Sequence, residues 1–395
     1  MKKILFVINS LTIGGSEKSL VSILNILDYD KYDVDLLMLK RGEVFEKYVP
    51  NKVNILDIPK YYEFLGNKKI KISPFKKMKY IYCRIKCSIQ LRTNRYKKQV
   101  INNQQIFYKN QKNILEKLDK RYDVAIAYAQ GFPTYLVADK INASKKIAWI
   151  NCDYTATLYD KKMDEGFYDK FNKIIAVSEN GKQSIINVNK KYEKKIEVIR
   201  DIVDSKLIRK MSKEKIKKFD KKYINILTVA RLVITYKGYD ILIKTAKLLK
   251  KNNYKFKWYV IGDGPDKKEI EKLIKHYNLS NEIILLGSKS NPYPYMKECD
   301  IYVQTSRKEG FGLTVIEAKT LKKPIVCTNF NSAKEIINNN IDGLIVNIDH
   351  ISIFEGIKKY IKDTEFKRKV QSNLNKLNEC SLSNDINKIK RLIED

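Results

Sequence analysis

Residues 306–318 read Ser306-Arg307-Lys308-Glu309-Gly310-Phe311-Gly312-Leu313-Thr314-Val315-Ile316-Glu317-Ala318, and follow Ile301–Val303, an apolar run of the length of one buried strand. The order is strand, glycine loop, helix. Gly310 and Gly312 remove side chains where backbone must come close to a partner, and a helix opening near Leu313 aims its free N–H groups at an anion. The loop predicts a cradle for phosphate or sugar. Glu309 lies in it and Glu317 lies one turn into the helix. Ionised carboxylates only accept hydrogen bonds, so sugar and ribose hydroxyls suit them as donors. For Glu317 a second reading stays open, because Thr314-Val315-Ile316-Glu317 also fits a capping box.

The wider chain bounds these possibilities. Its 395 residues exceed what one core fills, and 44% hydrophobic content supports two domains. No run reaches the length of a membrane span, and Met1-Lys2-Lys3-Ile4 enters a short apolar strand without a signal-peptide pattern, so a cytoplasmic location is expected. Cysteines at 83, 87, 152, 299, 327 and 380 form no C-x-x-C pair. Only His276 and His350 are available to complete a metal site, so reduced thiols and no metal are expected. The formal charge of +33 attracts polyanions, whether nucleic acid or an anionic lipid surface.

Apolar runs alternate with helical patterns throughout, at the spacing of parallel βαβ units. Ile4–Ile8 precedes Gly14-Gly15-Ser16-Glu17 and a helix carrying Leu20, Ile23, Leu24 and Leu27, the start of a Rossmann-like half without dinucleotide spacing. Asp28-Tyr29-Asp30 and Asp33-Val34-Asp35 have the spacing of a metal-binding D-x-D, but lie away from the expected strand C-termini and read as a solvated turn. Gly131 and Asn151 each follow a strand, where sites are built. Residues 205–223 are lysine-rich without a sustained apolar run, which predicts the boundary there. The second half opens with Ile224–Ala230, and Arg231 and Lys237 follow it: an Arg fork and a Lys point charge suited to a diphosphate. Glu335 reads as a first-turn helix residue.

Lys68–Lys98 is strongly basic, and no acidic residue occurs between Glu63 and Glu116. Met78, Ile81, Ile85 and Ile89 form a helical stripe flanked by Lys76, Lys77, Lys79, Arg84, Lys86, Arg92 and Arg95, with Phe75, Tyr80, Tyr82 and Tyr96 interleaved. Two readings are open: a helix lying on an anionic membrane, or a surface helix packed on the domain core by that same stripe. Nucleic acid is a third, but no binding motif accompanies the charge and none is expected as partner.

Glu309 and Glu317 with seven residues between them, Cys299-Asp300 ahead, Gly310-Phe311-Gly312 and Ala318 within, and Lys323-Pro324-Ile325-Val326 behind resemble the retaining glycosyltransferases of family four. That resemblance implies an α/β GT-B fold, two Rossmann-like domains facing across a cleft: residues 1–204 acceptor-binding, 205–375 nucleotide-sugar-binding, and 376–395 a helix that crosses back through Ile386–Ile393. It implies a hexosyl or aminohexosyl transfer from a nucleotide diphospho-sugar, of UDP type first and GDP type second, to a saccharide or lipid-linked saccharide of a bacterial capsule, O-antigen or exopolysaccharide. The roles it implies put Arg231 and Lys237 on the donor diphosphate and Glu309 on the sugar near its anomeric carbon. Glu317 takes the ribose, Gly310, Phe311, Gly312 and Leu313 the donor loop, and Gly14 and Gly15 the approach of donor and acceptor. Gly131 and Asn151 are the acceptor-side candidates. Many members have a histidine where this chain has Asn151, an amide that carries no proton at neutral pH. No metal or cofactor is called for. A sugar-nucleotide epimerase of the same fold, or a non-catalytic basic nucleic-acid-binding protein, are the alternatives.

Overall fold

The computed structural model describes residues 1–66, 70–94, 96, 100–376 and 383–394, without the side chains of residues 383 and 384. Lys68, Arg95, Lys98 and Cys380 lie outside the described residues. The chain forms two compact units, Met1–Ile202 with Ile386–Asp395, and Val203–Asp385.

The first unit is built on seven strands: β1 (Lys2–Ile8), β2 (Tyr32–Met38), β3 (Asn54–Ile55), β4 (Arg121–Ala127), β5 (Asn142–Ile150), β6 (Lys173–Ala176) and β7 (Ile196–Val198). They run in the order β3-β2-β1-β4-β5-β6-β7, every pair parallel. Ile4 registers with Val34 on one side and Val124 on the other. A strand covered on both faces by helices must be apolar at every position, which is why Ile4–Ile8 is a continuous hydrophobic run and is wholly buried. The helix Gly15–Ile26 returns over the sheet on Leu20, Ile23 and Leu24. The last helix, Ser383–Glu394, is anchored on this unit, where Lys388 Nζ donates to the Val198 carbonyl at 2.9 Å and the Tyr32 hydroxyl to Glu394 at 2.8 Å.

The second unit has six strands: β8 (Ile224–Val229), β9 (Phe256–Ile261), β10 (Ile283–Leu285), β11 (Ile301–Gln304), β12 (Ile325–Thr328) and β13 (Leu344–Val346), in the all-parallel order β10-β9-β8-β11-β12-β13. Both sheets reverse strand order once, between β1 and β4 and between β8 and β11. At such a switch point the connections leave to opposite sides and open a crevice outside the strand C-termini.

Two sequence readings are corrected by the packing. Asp33 and Asp35 belong to β2 and not to a solvated turn, a role left to the exposed Asp28 and Asp30. Asp35 is fully buried and takes hydrogen bonds from the Tyr122 hydroxyl at 2.6 Å and Asn54 Nδ2 at 2.9 Å, with Lys120 Nζ 2.9 Å away. Burial pushes its carboxyl up, but those donors outweigh the effect and hold it below the usual carboxylate range.

The second correction concerns the basic helix, Pro74–Asn94. It packs inward through Tyr80, Cys83, Cys87 and Asn94, not through Met78, Ile81, Ile85 and Ile89. Tyr80 meets Tyr61 edge to face at 5.1 Å, and the preceding helix, Lys60–Leu65, brings Tyr61 and Phe64 against that side. A helix has one face for the core, and the aromatic cluster occupies it. The aliphatic stripe faces solvent together with Phe75 and Tyr82, these six residues being between 42% and 69% exposed.

Candidate active site

In the second unit the chain leaves β8 through Ala230, the exposed Arg231 and Leu232, then makes one helical turn, Ile234–Lys237. The Gly262–Gly264 turn lies against this exit: a β-carbon on Gly264 would stand 2.4 Å from the Leu232 carbonyl oxygen, and one on Gly262 2.0 Å from that of Ala230. Ile234 N–H donates to Asp266 Oδ2 at 2.8 Å. The backbone at Arg231 is thereby fixed while its side chain reaches solvent.

The exit from β11 is tied to the same segment. Arg307 N–H donates to the Tyr236 carbonyl at 2.7 Å, and the Thr305 hydroxyl to the Lys237 carbonyl at 2.8 Å. Arg307 clamps Asp240 with both guanidinium ends, at 2.8 and 2.7 Å. Burial raises the Asp240 carboxyl, but the guanidinium wins and holds it below its ordinary range. Arg307 is thus a brace between the two loops, a role the sequence did not reveal.

This bracing brings Lys237 and Glu309 together. Lys237 Nζ is 2.7 Å from Glu309 Oε2, with the two side chains 21% and 10% exposed. Glu309 Oε1 accepts from Gln304 Nε2 at 2.8 Å and from the Ser306 hydroxyl at 2.5 Å. The sequence assigned Lys237 with Arg231; in the structure it is the ion-pair partner of Glu309. A lysine ammonium carries three donors, so this pairing leaves it donors for a further anion.

Gly312 has φ +95°, and a β-carbon there would stand 2.9 Å from Ile336 Cδ1 and 3.1 Å from the Phe330 ring, so only glycine closes the loop onto those residues. Phe311 and Leu313 bury their side chains, leaving their backbone as what they offer a ligand. The helix begins at Leu313 with Gly312 as its cap residue and no side-chain cap, which removes the capping-box reading of Glu317. That carboxylate is buried four residues into the helix, where Oε1 accepts from the Tyr293 hydroxyl at 2.9 Å.

In the first unit Gly14 and the exposed Gly15 open the helix after β1. The Glu17 carboxylate folds back under Gly14, where a β-carbon would be 2.1 Å from its Oε2. A side chain at this position would have to displace the Glu17 carboxylate. Burial raises the Glu17 carboxyl against the lowering effect of its own backbone N–H, Ser16 and Thr12. One turn on, Ser19 Oγ and the Tyr128 hydroxyl are 2.8 Å apart, and Asp201 is buried beside them with its carboxyl pushed up to about 7 by desolvation. Gly131, at φ +86°, is enclosed: its β-carbon would meet Gln104 Oε1 at 2.4 Å and the Tyr159 hydroxyl at 2.6 Å. Asn151 donates through Nδ2 to the Tyr128 carbonyl at 3.1 Å, while its Oδ1 is buried without a hydrogen-bond partner among the described residues.

Among the described residues no group of three or more His, Cys, Asp or Glu side chains could hold a metal ion, the five described cysteines are free, and no helix is long and apolar enough to cross a membrane.

Two Rossmann-like units, the second with a cationic and carboxylate cluster beside a glycine loop at its switch point, define a glycosyltransferase of GT-B architecture. Residues 209–377, in the C-terminal unit, match the family described as glycosyl transferases group 1. The chain is 27% identical over 372 residues, 93% of its length and 92% of the relative's, to N-acetylgalactosamine-N,N'-diacetylbacillosaminyl-diphospho-undecaprenol 4-alpha-N-acetylgalactosaminyltransferase of Campylobacter jejuni. It is 29% identical over 222 residues, 54% of this chain and 58% of the other, to the capsular polysaccharide biosynthesis glycosyltransferase CapM of Staphylococcus aureus. In architecture it is similar to Anabaena HepE in complex with UDP and glucose (TM-score 0.70, 16% identity) and to S. aureus TarM in complex with UDP, Fondaparinux and alpha-GlcNAc-glycerol (TM-score 0.66, 18% identity), each covering 100% of both chains. These relatives are glycosyltransferases, and the epimerase alternative finds no support.

Proposed function

We propose that this enzyme is a retaining hexosyl- or aminohexosyltransferase of family four that uses a UDP-sugar and glycosylates a lipid-linked saccharide for a bacterial surface polysaccharide. The observation that carries the reading is the Lys237–Glu309 pair at 2.7 Å, held beside the Gly310–Gly312 loop at the β8/β11 switch point. The UDP in the HepE and TarM complexes and the diphospho-undecaprenol in the name of the C. jejuni relative support the donor and acceptor classes.

In this mechanism Arg231 and Lys237 stabilise the charge that grows on the departing diphosphate, and the N-terminus of the helix at Leu313 adds to that field. Glu309 accepts a hydrogen bond from the donor sugar, Glu317 from the ribose, and Gly310, Phe311, Gly312 and Leu313 line the donor with backbone. The bond from the anomeric carbon to the diphosphate breaks and the acceptor oxygen bonds to the same face. The acceptor proton passes to the departing diphosphate oxygen, so no protein base is needed where Asn151 stands. The reading calls for no metal, since the fixed cations supply the positive charge. Gly14 and Gly15 serve the approach of substrates on the first unit.

The exposed Met78, Ile81, Ile85 and Ile89 stripe with its lysines and arginines rests the protein on the anionic cytoplasmic face of a membrane, where a lipid-linked acceptor is presented.

The test is a thermal-shift series with UDP, GDP, ADP and their common sugar conjugates on wild type and Arg231→Ala, followed by NMR assignment of the product's anomeric configuration. Stabilisation by UDP compounds that is lost in the variant, with an α-linked product from an α-linked donor, is expected. Binding of RNA with no response to any nucleotide would overturn the assignment, and an inverted product would overturn retention.

A further inference from the structure

All four residues of β11, Ile301–Gln304, are buried, between β8 on one side and β12 on the other. A central strand of this kind is ordinarily apolar throughout. Side chains of a strand alternate in direction, so Tyr302, Gln304 and, just past its end, Ser306 share one side, and all three are polar and at most 1% exposed.

They form one hydrogen-bonded chain. The Tyr302 hydroxyl donates to Gln304 Oε1 at 2.8 Å, which leaves the Gln304 amide nitrogen directed onward. Nε2 donates to Ser306 Oγ at 2.8 Å and to Glu309 Oε1 at 2.8 Å, and the Ser306 hydroxyl donates to the same carboxylate oxygen at 2.5 Å. The chain therefore ends on Glu309. Each carboxylate oxygen has two lone pairs. Those of Oε1 are both used by Gln304 and Ser306. Oε2 spends one on Lys237 at 2.7 Å and, among the described residues, keeps one.

We infer that Gln304 is the positioning residue of the donor-sugar site: with Ser306 it saturates one oxygen of Glu309, so that the carboxylate reads one hydroxyl of the donor sugar through Oε2. This rests on the proposed transferase reading, in which Glu309 faces the sugar. A carboxylate with a single open acceptor position selects a sugar that presents a donor there, and discriminates against one that is deoxygenated or fluorinated at that carbon. An apolar residue at 304 would fill the core as well but would let the Glu309 side chain rotate.

The experiment compares wild type, Gln304→Leu, Ser306→Ala and Glu309→Gln. It measures thermal midpoints, affinity for UDP alone, and kcat and KM with UDP-glucose, UDP-galactose, UDP-N-acetylglucosamine and UDP-N-acetylgalactosamine. Expected for Gln304→Leu are unchanged UDP affinity, a fall in kcat of ten- to a hundredfold with little change in KM, and a loss of the preference among the four sugars. Ser306→Ala, the smaller change, shows the same pattern at lower amplitude and serves if Gln304→Leu does not fold. If wild type neither binds nor uses any nucleotide sugar, the transferase reading falls and this inference with it. If wild type and Glu309→Gln differ as a sugar-contacting carboxylate requires, yet Gln304→Leu and Ser306→Ala keep wild-type kcat and sugar preference, the positioning role alone is wrong.

Discussion

A β-carbon on Gly238 would stand 2.1 Å from the carbonyl oxygen of Thr305, so the segment after β8 and the segment after β11 touch backbone to backbone immediately beside Lys237 and Glu309. Gly238 also has φ +66°, the left-handed region. Gly238→Ala must break this contact and accept the strain of a side chain there, a combined loss of about 2–4 kcal/mol. Urea denaturation should show that loss, and the surviving folded protein should bind UDP more weakly because Lys237 moves with the loop. Wild-type stability in the variant would mean that the two segments are not locked together.

Arg231 is exposed, its backbone held by the Gly262–Gly264 turn. Its removal should leave folding stability within about 0.5 kcal/mol of wild type. A charge-assisted bond to phosphate is worth about 1.5–3 kcal/mol, so UDP affinity of Arg231→Ala should fall roughly ten- to a hundredfold by calorimetry. An unchanged affinity would remove Arg231 from the diphosphate site.

Asp201 is buried beside Ser19, Tyr128 and Glu17, with no cation among the described groups acting on it, and desolvation lifts its carboxyl to about 7. An unfolded aspartate titrates near 4. With the folded value raised, this group's contribution is full below about pH 4, declines as pH rises, and is lost once the pH passes about 7. In urea denaturation Asp201→Asn should therefore be more stable than wild type at pH 8, by on the order of a few kcal/mol, and nearly equal to it at pH 4. Equal effects at both pH values would show that Asp201 is not protonated in the fold at low pH.

Met78, Ile85 and Ile89 of the stripe are each more than half exposed, so replacing them by serine should leave the thermal midpoint nearly as it was. Flotation with vesicles containing anionic phosphatidylglycerol should lose the protein in that variant. Salt should weaken wild-type binding without abolishing it, because apolar insertion is not screened. Equal recovery of wild type and variant with the vesicles would show that the basic flanks alone, or another surface, make the contact.

Much of the architecture could be read from the chain because parallel strands buried on both faces leave uninterrupted apolar runs, as at Ile4–Ile8 and Ile301–Val303. The glycine loop at Gly310–Gly312 was legible for a similar reason: few sequences place two glycines between a strand and a helix without a backbone need. Pairings across the sheet were not. Nothing near Lys237 in sequence points to Glu309, 72 residues on, and Arg307 reads as one more basic residue until Asp240 is found against it. The alternation of Tyr302, Gln304 and Ser306 in a buried strand was the one local signal for the chain of hydrogen bonds behind Glu309.

The sequence by itself determined the alternation of strand and helix, the two Rossmann-like units and the residues with charge or glycine to offer at the strand ends, because burial and backbone freedom act position by position. Only the tertiary structure decided which of those residues meet. Order in the sheet puts β8 beside β11 and so Lys237 on Glu309; β2 beside β3 and next to β1 carries Asp35 into reach of Asn54, Tyr122 and Lys120. It also decided which side of the helix Pro74–Asn94 is core. Two apolar stripes compete along that helix, and the arrival of Tyr61 from a neighbouring element gives the inner one to Tyr80, Cys83 and Cys87 and turns the other outward.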